Sequence, residues 1–585
     1  MPRSLAGSRR LRAVLLALTG MLVVALVVTA GLATRSSDPK GKPAPAAAPA
    51  GDNTALPADI TPVGAPRPPE SDRPNIVMIM ADDMRTDELR FMPHLRRLVG
   101  GQGLTFRNSF SPYPLCCPAR ASFLTGQFAH NHEVYSHVRP WGYQSFDDRR
   151  TLATALNDSG YNTVFLGKYL NGYGRDDSRV TGTSSFRYVP PGWTDWYAAV
   201  SRPAQSSYTS GGTYNYWNTL YNVNGRIDAS HKGQYQTKTL GRFSRNLVRK
   251  YHRSPKPFFM WLNPVAPHFG SPREKDDPAR ELRIKTPARP KSVRGRFDKQ
   301  IPRAAGLPRS GGPSEKDISD KPAAMRELPE LDRAARAAVR TLSRQRAETL
   351  SVLDDQVRRL VKTLKVTGEY DNTVIMFTSD NGYFLGEHRM RQGKIKPHEP
   401  SLRVPFLISG KGVPKGTRFD PITTMGVTAT IVDLAGSDAP FPADDRSAVP
   451  SFARDRGWNV PVLTEGLETS RAFTEAADDP APGFDDPRTS IGIRTSRYSY
   501  VRYNTGEGEL YDLDKDPNEM RSVFGRPRYA AVQAELQRLL VAQKDCREEA
   551  CQPALRSGLR RAPAQVRAAT NAQSRGVQER YGYWR

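Results

Sequence analysis

The chain has 585 residues, with 86 Lys and Arg against 60 Asp and Glu, a formal net charge of +26. Hydrophobic residues make up 38%, with 22 Phe, 23 Tyr and 7 Trp, enough for a sizeable core, which excludes wholesale disorder. A single long apolar stretch excludes a polytopic membrane protein, and four cysteines exclude a disulfide scaffold.

Arg3, Arg9, Arg10 and Arg12 precede an uncharged run over residues 13–34. As a helix rising ~1.5 Å per residue, this run reaches about 33 Å, enough to cross a hydrocarbon core of roughly 30 Å. It is expected to be a signal peptide or a signal anchor (residues 1–35), with the rest of the chain exported and either secreted or held at the outer face of the membrane. Residues 36–72 are Pro/Ala-rich and predict an extended linker.

The body reads as α/β. Residues 75–80 (NIVMIM) form a continuous apolar run, the pattern of a strand buried on both faces of a parallel sheet. Similar runs cover 163–166, 258–262, 374–378 and 405–408, and helical patterns fall at 92–98, 151–157 and 331–364. This alternation predicts a mostly parallel sheet between helices. The first four runs end in particular polar residues: Asp82 and Asp83, then Lys168, then His268 shortly beyond, then Asp380 and Asn381. Ligands of open α/β sheets bind beyond the carboxyl ends of the strands, so four such exits predict one polar site.

The stretch from Leu115 to Gly126 reads LCCPARASFLTG. Pro118 suits a first helical turn, which puts Cys116 at a positive helix N-terminus and predicts a lowered thiol pKa. Arg120 lies one turn along and can fork onto an oxyanion or a carboxylate. Two buried thiols or an adjacent-cysteine disulfide are the bland alternatives, and no CxxC or HxxxH partner points to zinc.

On these residues the chain resembles the type I sulfatases, whose signature is C-x-P-S/A-R followed by L-T-G. Further motifs stand in the family's order: PNIVMIMADD at 74–83, GKYLNGY at 167–173, NPVAPHFGSP at 263–272, DNTVIMFTSDNGYFLGEH at 371–388, GKIKPHEPSLRVPFLISG at 393–410 and ELYDLDKDPNE at 509–519. CCPAR, GKYLN and HNH (residues 130–132) are most similar to N-acetylglucosamine-6-sulfatases and bacterial arylsulfatases. The resemblance implies an alkaline-phosphatase-like fold, with a mixed, mostly parallel sheet between helices and a smaller C-terminal α+β subdomain. It implies that Cys116 is converted to formylglycine by a maturation enzyme and that Asp82, Asp83, Asp380 and Asn381, with residue 116, hold Ca²⁺. Hard oxygen donors suit Ca²⁺, with Mg²⁺ the weaker fit. It further implies that Arg120 and the metal activate the hydrated aldehyde, that Lys168 and Lys394 bind sulfate, that His268 protonates the leaving alcohol and that Asp380 is the candidate base.

Two positions depart from the family pattern. Many sulfatases carry K-x-H where this chain has Lys168-Tyr169-Leu170, so the histidine assigned to the elimination step is missing, and His130, His132, His388 and His398 are the candidate substitutes. Pro400-Ser401 stands where relatives often have Gly-Gly, which predicts an altered pocket wall.

Residues 273–309 are a Pro- and Arg-rich insertion, and 556–585 a basic tail whose single acid is Glu579. A solvated loop and a disordered tail are the simple expectation, and attraction of an anionic polymer or envelope surface is the functional one. No nucleic-acid-binding motif is present, so nucleic acid is not the expected partner. A catalytic domain is expected over 73–437. A smaller domain is expected over 438–555, with strands near 490–494 and 498–503, a helix over 528–543, and a candidate disulfide between Cys546 and Cys551. The expected activity is hydrolysis of sulfate monoesters, of a sulfated amino sugar or glycosaminoglycan first and of an aryl sulfate second. A phosphodiesterase or phosphonate hydrolase on the same scaffold, and a non-enzymatic binder of sulfated polymers, are the rival readings.

Overall fold

A computed structural model describes residues 72–467 and 488–582. The apolar run over 13–34 and most of the linker lie outside the described residues. Among the described residues no helix is long and apolar enough to cross a membrane.

The larger sheet has ten strands: β1 (Asn75–Ala81), β2 (Leu104–Phe110), β3 (Asn162–Lys168), β4 (Asp195–Ala199), β5 (Tyr221–Val223), β6 (Arg226–Asp228), β7 (Phe258–Asn263), β8 (Thr373–Ser379), β9 (Phe406–Gly410) and β10 (Gly416–Thr423). Their order across the sheet is β10-β2-β9-β8-β1-β7-β3-β4-β5-β6. The centre, β8-β1-β7-β3-β4, is parallel throughout, whereas β9 runs antiparallel between β8 and β2. The sheet is therefore mixed and mostly parallel, as expected.

Strand β1 shows why its sequence is apolar without alternation. Ile76, Met78 and Met80 point into a core under the helices Cys116–Thr125, Leu152–Asp158 and Thr424–Ala435. Val77, Ile79 and Ala81 point into a second core under Pro93–Leu98, Gln236–Tyr251 and Arg333–Val366. Successive side chains face opposite ways along a strand, so both faces of the sheet must be apolar. Each fully buried Ile, Val or Met side chain contributes about 1.5–3 kcal/mol. The 34-residue helix Arg333–Val366 starts where the Asp332 carboxylate accepts the Ala335 N–H at 2.7 Å.

A second, antiparallel sheet holds β11 (Val462–Gly466), β12 (Ser490–Arg494), β13 (Tyr498–Tyr503) and β14 (Gly508–Asp512), with the helix Ala530–Gln543 sharing its core. That core also includes Phe110, Phe128 and Leu402 of the larger unit. Cys546 and Cys551 are disulfide-bonded, whereas Cys116 and Cys117 are both free.

Two sequence expectations need correction. The basic tail is not an irregular coil over its described length: Pro563–Tyr581 is a helix that buries Val566, Val577 and Tyr581. The insertion 273–309 is not simply solvated either. Ile284, Ala288, Val293, Phe297 and Ile301 are buried, and the buried Arg289 pairs with Glu274, Asp276 and Glu348.

Candidate active site

Four adjacent parallel strands, β8, β1, β7 and β3, deliver their carboxyl ends side by side, and the predicted residues meet there. Asp82 and Asp83 follow β1, Asp380 and Asn381 follow β8, Lys168 ends β3, and His268 lies five residues beyond β7. Asp83 adopts a left-handed backbone (φ 66°) and its N–H donates to Asp380 Oδ1 at 3.0 Å. Gly167 has φ 99°, and a Cβ there would stand 2.1 Å from the Asn263 carbonyl oxygen. Only glycine lets β3 close on β7 beside Lys168.

Cys116 opens the helix Cys116–Thr125, all ten residues of which are buried. Its Sγ lies 3.3 Å from Asp82 Oδ1, 3.6 Å from Asp83 Oδ1 and 2.8 Å from Lys394 Nζ. Lys394 also donates to Asp83 Oδ1 at 2.6 Å, and Lys168 Nζ meets Asp82 Oδ2 at 2.6 Å. Arg120 is held from three sides: Nε donates to Asp380 Oδ2 at 2.9 Å, and Nη1 to the Lys168 carbonyl at 2.8 Å and to Asn263 Oδ1 at 3.0 Å. His268 Nε2 faces Asp83 Oδ2 at 3.8 Å, and its Nδ1 donates to the Phe269 carbonyl at 2.6 Å. All of these side chains are buried.

Three carboxylates thus face three permanent cations. Burial pushes the Asp82 carboxyl up, but Lys168, His268, Arg120 and Lys394 more than offset it and hold the group below the usual range. Burial, joined by Asp82, raises the Asp380 carboxyl. The thiol behaves opposite to the helix-terminus expectation. Burial, reinforced by Asp380 and Asp82, drives Cys116 well above an ordinary thiol, and burial pushes Cys117 up to about 12. Neither is a reactive thiolate.

The donor set fits a hard cation. Ligand atoms of Asp82, Asp83, Cys116 and His268 lie within 4.8 Å of one another. Asp82 Oδ2, Asp83 Oδ2 and Asn381 Oδ1 are buried without a hydrogen-bond partner, although Asp82 Oδ2 keeps its ion contact with Lys168. Buried acceptor oxygens left open at one point are the arrangement that a divalent cation completes.

The four candidate histidines for the elimination step are engaged elsewhere. His130 bonds Glu465 and the Cys546 carbonyl at 2.8 Å each, and His132 bonds Ser122 at 2.9 Å. His388 bonds Glu315 at 2.7 Å, and His398 faces Glu509 at 3.4 Å. Cys546 and Cys551 likewise belong with His130, away from Cys116. The carbonyls of Pro400 and Ser401 accept the N–H groups of Tyr383 and Gly382, just past Asn381, at 2.7 Å each.

Sequence reasoning missed several supporting residues. Asn263, which anchors Arg120, heads the NPVAPHFGSP run, but no role was assigned to it there. Tyr214 stacks on His268 with ring centroids 4.5 Å apart, and its ring lies 5.0 Å from Lys168 Nζ. Arg346 donates to the Asp83 carbonyl at 2.6 Å while gripping Glu88 with two further bonds. Nothing local in the sequence signals either contact.

Comparison with known proteins places the chain among characterised relatives. A family model described as Sulfatase matches residues 74–437, and one described as N-sulphoglucosamine sulphohydrolase, C-terminal, matches 479–545. An arylsulfatase of Volvox carteri is 29% identical over 515 residues, covering 82% of this chain and 76% of that protein. The human N-acetylglucosamine-6-sulfatase is 29% identical over 491 residues, covering 77% and 81% respectively. A solved structure described as a complex with its substrate D-glucosamine-2-N,6-O-disulfate superposes with a TM-score of 0.58 at 22% identity, covering 81% of this chain and 98% of that one. A phosphonate monoester hydrolase from Silicibacter pomeroyi shares the fold at a TM-score of 0.56 and 20% identity, covering 84% and 99%. With the first family model spanning well over half of its length, the chain belongs to the sulfatase family and is a sulfuric ester hydrolase.

Proposed function

We propose that this protein is an exported enzyme that removes sulfate from a sulfated amino sugar within a glycosaminoglycan or similar polymer, with Cys116 matured to formylglycine and Ca²⁺ held by Asp82, Asp83, Asp380 and Asn381. The observation that carries the reading is the enclosure of the Cys116 side chain by Asp82, Asp83 and Lys394, with Lys168, Arg120 and His268 beside it. An inert, fully buried thiol has no use for such surroundings, whereas an oxygen nucleophile made from it has. The relative named N-acetylglucosamine-6-sulfatase supports the amino-sugar substrate, and the one named arylsulfatase supports an aryl sulfate as the second choice.

A bound divalent cation would supply positive charge that polarises the sulfate and lowers the pKa of a hydroxyl at residue 116. The hydrated aldehyde would supply that hydroxyl, and a second one through which the residue can be regenerated.

The remaining work falls to this chain's own side chains. Lys168 and Lys394 approach the residue 116 position from two sides and would neutralise charge growing on the sulfate oxygens. Asp380, gripped by Arg120, is the candidate proton acceptor for the attacking hydroxyl. His268 donates Nδ1–H to the Phe269 carbonyl, so it can give up an Nε2 proton to a leaving alkoxide only as the imidazolium. The carboxylate of Asp83 beside Nε2 favours that form.

The test is turnover of a sulfate ester and a phosphate ester of one phenol, with Cys116→Ala as control. The proposal expects the sulfate ester to be preferred and both activities to vanish in the variant. Preference for the phosphate ester would install the rival phosphohydrolase reading.

A further inference from the structure

Away from the site, the arginine-rich insertion and the first turns of the helix Arg333–Val366 enclose an open groove of about 500 Å³. Leu307, Pro308 and Ala337 give its lining apolar surface, and Arg303, Arg333, Arg336 and Arg340 line it as well. No acidic and no aromatic residue lines it among the described residues. Arg333, Arg336 and Arg340 are spaced i, i+3, i+7, which sets all three on one helix face.

These arginines are only partly engaged. Arg336 pairs with Glu330 at 2.9 Å and donates to the carbonyls of Leu331 and Gly312. Arg303 donates to the Tyr581 carbonyl at 3.2 Å. Among the described residues no ion pair engages Arg333 or Arg340, so their guanidinium groups are open to an anion in the groove. The neighbouring Asp332 spends its carboxylate on capping the helix at Ala335.

We propose that this groove binds a sulfated or carboxylated segment of polysaccharide outside the reacting centre and so holds the polymer on the enzyme. Guanidinium forks match sulfate and carboxylate oxygens in pairs, and the apolar part of the lining suits the C–H faces of sugar rings. Single-stranded nucleic acid would ask for aromatic stacking platforms, which the lining lacks. Further along the same helix, Arg346 donates to the Asp83 carbonyl. At ~1.5 Å per residue, Arg340 and Arg333 stand about 9 and about 20 Å along the axis from it. A polymer held there is kept at high local concentration beside the site, and salt weakens the hold. The role in catalysis rests on the polymer-sulfatase reading above, but the binding itself does not.

The test uses the full chain carrying Cys116→Ala, so that binding is read without turnover. Heparin is titrated against this protein, against the same protein with Arg333→Gln and Arg340→Gln, and against a control with Arg242→Gln and Arg249→Gln, which removes equal charge from the exposed side of the helix Gln236–Tyr251. The groove pair should weaken heparin binding about three- to thirtyfold, and the control less than twofold. With Cys116 intact, the groove pair should leave kcat/KM for 4-nitrophenyl sulfate unchanged. Equal losses from both pairs, unaltered heparin affinity, or an aryl-sulfate rate that falls in step with binding would each overturn the proposal. So would a groove pair that loses binding to phosphatidylglycerol vesicles while keeping heparin. If heparin binding responds as expected but no sulfate ester is turned over, the groove stands and the catalytic reading fails.

Discussion

Charge is handled in two ways in this molecule. At the carboxyl ends of β8, β1, β7 and β3, three carboxylates and three permanent cations are buried together, each within bonding distance of another. In the insertion and the C-terminal segment, arginines dominate, some turned inward like Arg289 and others, such as Arg333 and Arg340 nearby, left facing a groove. Sheet register fixes most of the first set, Asp82, Asp83, Asp380 and Lys168, and the buried helix Cys116–Thr125 brings Arg120 to them. Four backbone exits stand side by side, so their side chains need little further ordering to meet, and a preorganised site of this kind does chemistry. Of the second set, Arg333 and Arg340 stand on one face of the helix Arg333–Val366 and suit capture of an extended anion.

Substitutions can break this contrast. The largest expected effect is at the site: His268→Ala should lower kcat for a sugar sulfate by about 10²–10⁴-fold, because the alkoxide leaving group needs a proton. The same variant should affect 4-nitrophenyl sulfate far less, since that leaving group departs as a stable anion. Equal losses on both substrates, measured under saturating conditions, would reduce His268 to a structural role.

A smaller effect is expected where an insertion arginine is buried. Arg289→Met leaves Glu274 and Glu348 without their shared partner, and should cost about 3–5 kcal/mol in denaturant unfolding. Turnover per folded molecule should change little. If stability is unaffected, the Arg289 ion pairs contribute nothing to holding the insertion in place.

The smallest effect is a pH dependence in the second sheet. Burial pushes Glu509 up, but His398, with the hydroxyls of Tyr503 and Tyr511, holds it down at about 2 against an ordinary 4.5. Because the folded-state value is the lower one, the unfolded chain takes up the proton first. The stabilisation is complete above about 4.5 and is lost as pH falls toward about 2. Glu509→Gln should flatten the acid limb of the unfolding curve across that window, by at most about 3 kcal/mol. An unchanged limb would show that other groups set acid stability.

The contrast also explains what could be read in the sequence. Strands buried on both faces are apolar without interruption, so β1, β3, β7 and β8 were recognisable, and the residues just past them pointed to the site. Strand β2 (LTFRNSF) interleaves polar residues, some pairing outward with the C-terminal helix, as Asn108 does with Thr570 at 2.9 Å, and it does not read as a buried strand. The thiol expectation failed because helix position was visible in the sequence while burial beside Asp380 and Asp82 was not. Arg346 was invisible as a site residue because its partners, Asp83 and Glu88, are 263 and 258 positions away. Composition identified the insertion and the tail as basic, but it could not show that Val566, Val577 and Tyr581 form one buried helix face, or that Arg289 turns inward.

The central claim is that Cys116 is the precursor of the nucleophile. Peptide mass spectrometry across residues 115–120 of protein from its native host tests it directly. Conversion to formylglycine exchanges sulfur and two hydrogens for one oxygen, and should appear as a loss of about 18 Da at Cys116, as a carbonyl-derived nucleophile requires. An unmodified thiol in fully matured, active protein would contradict the account.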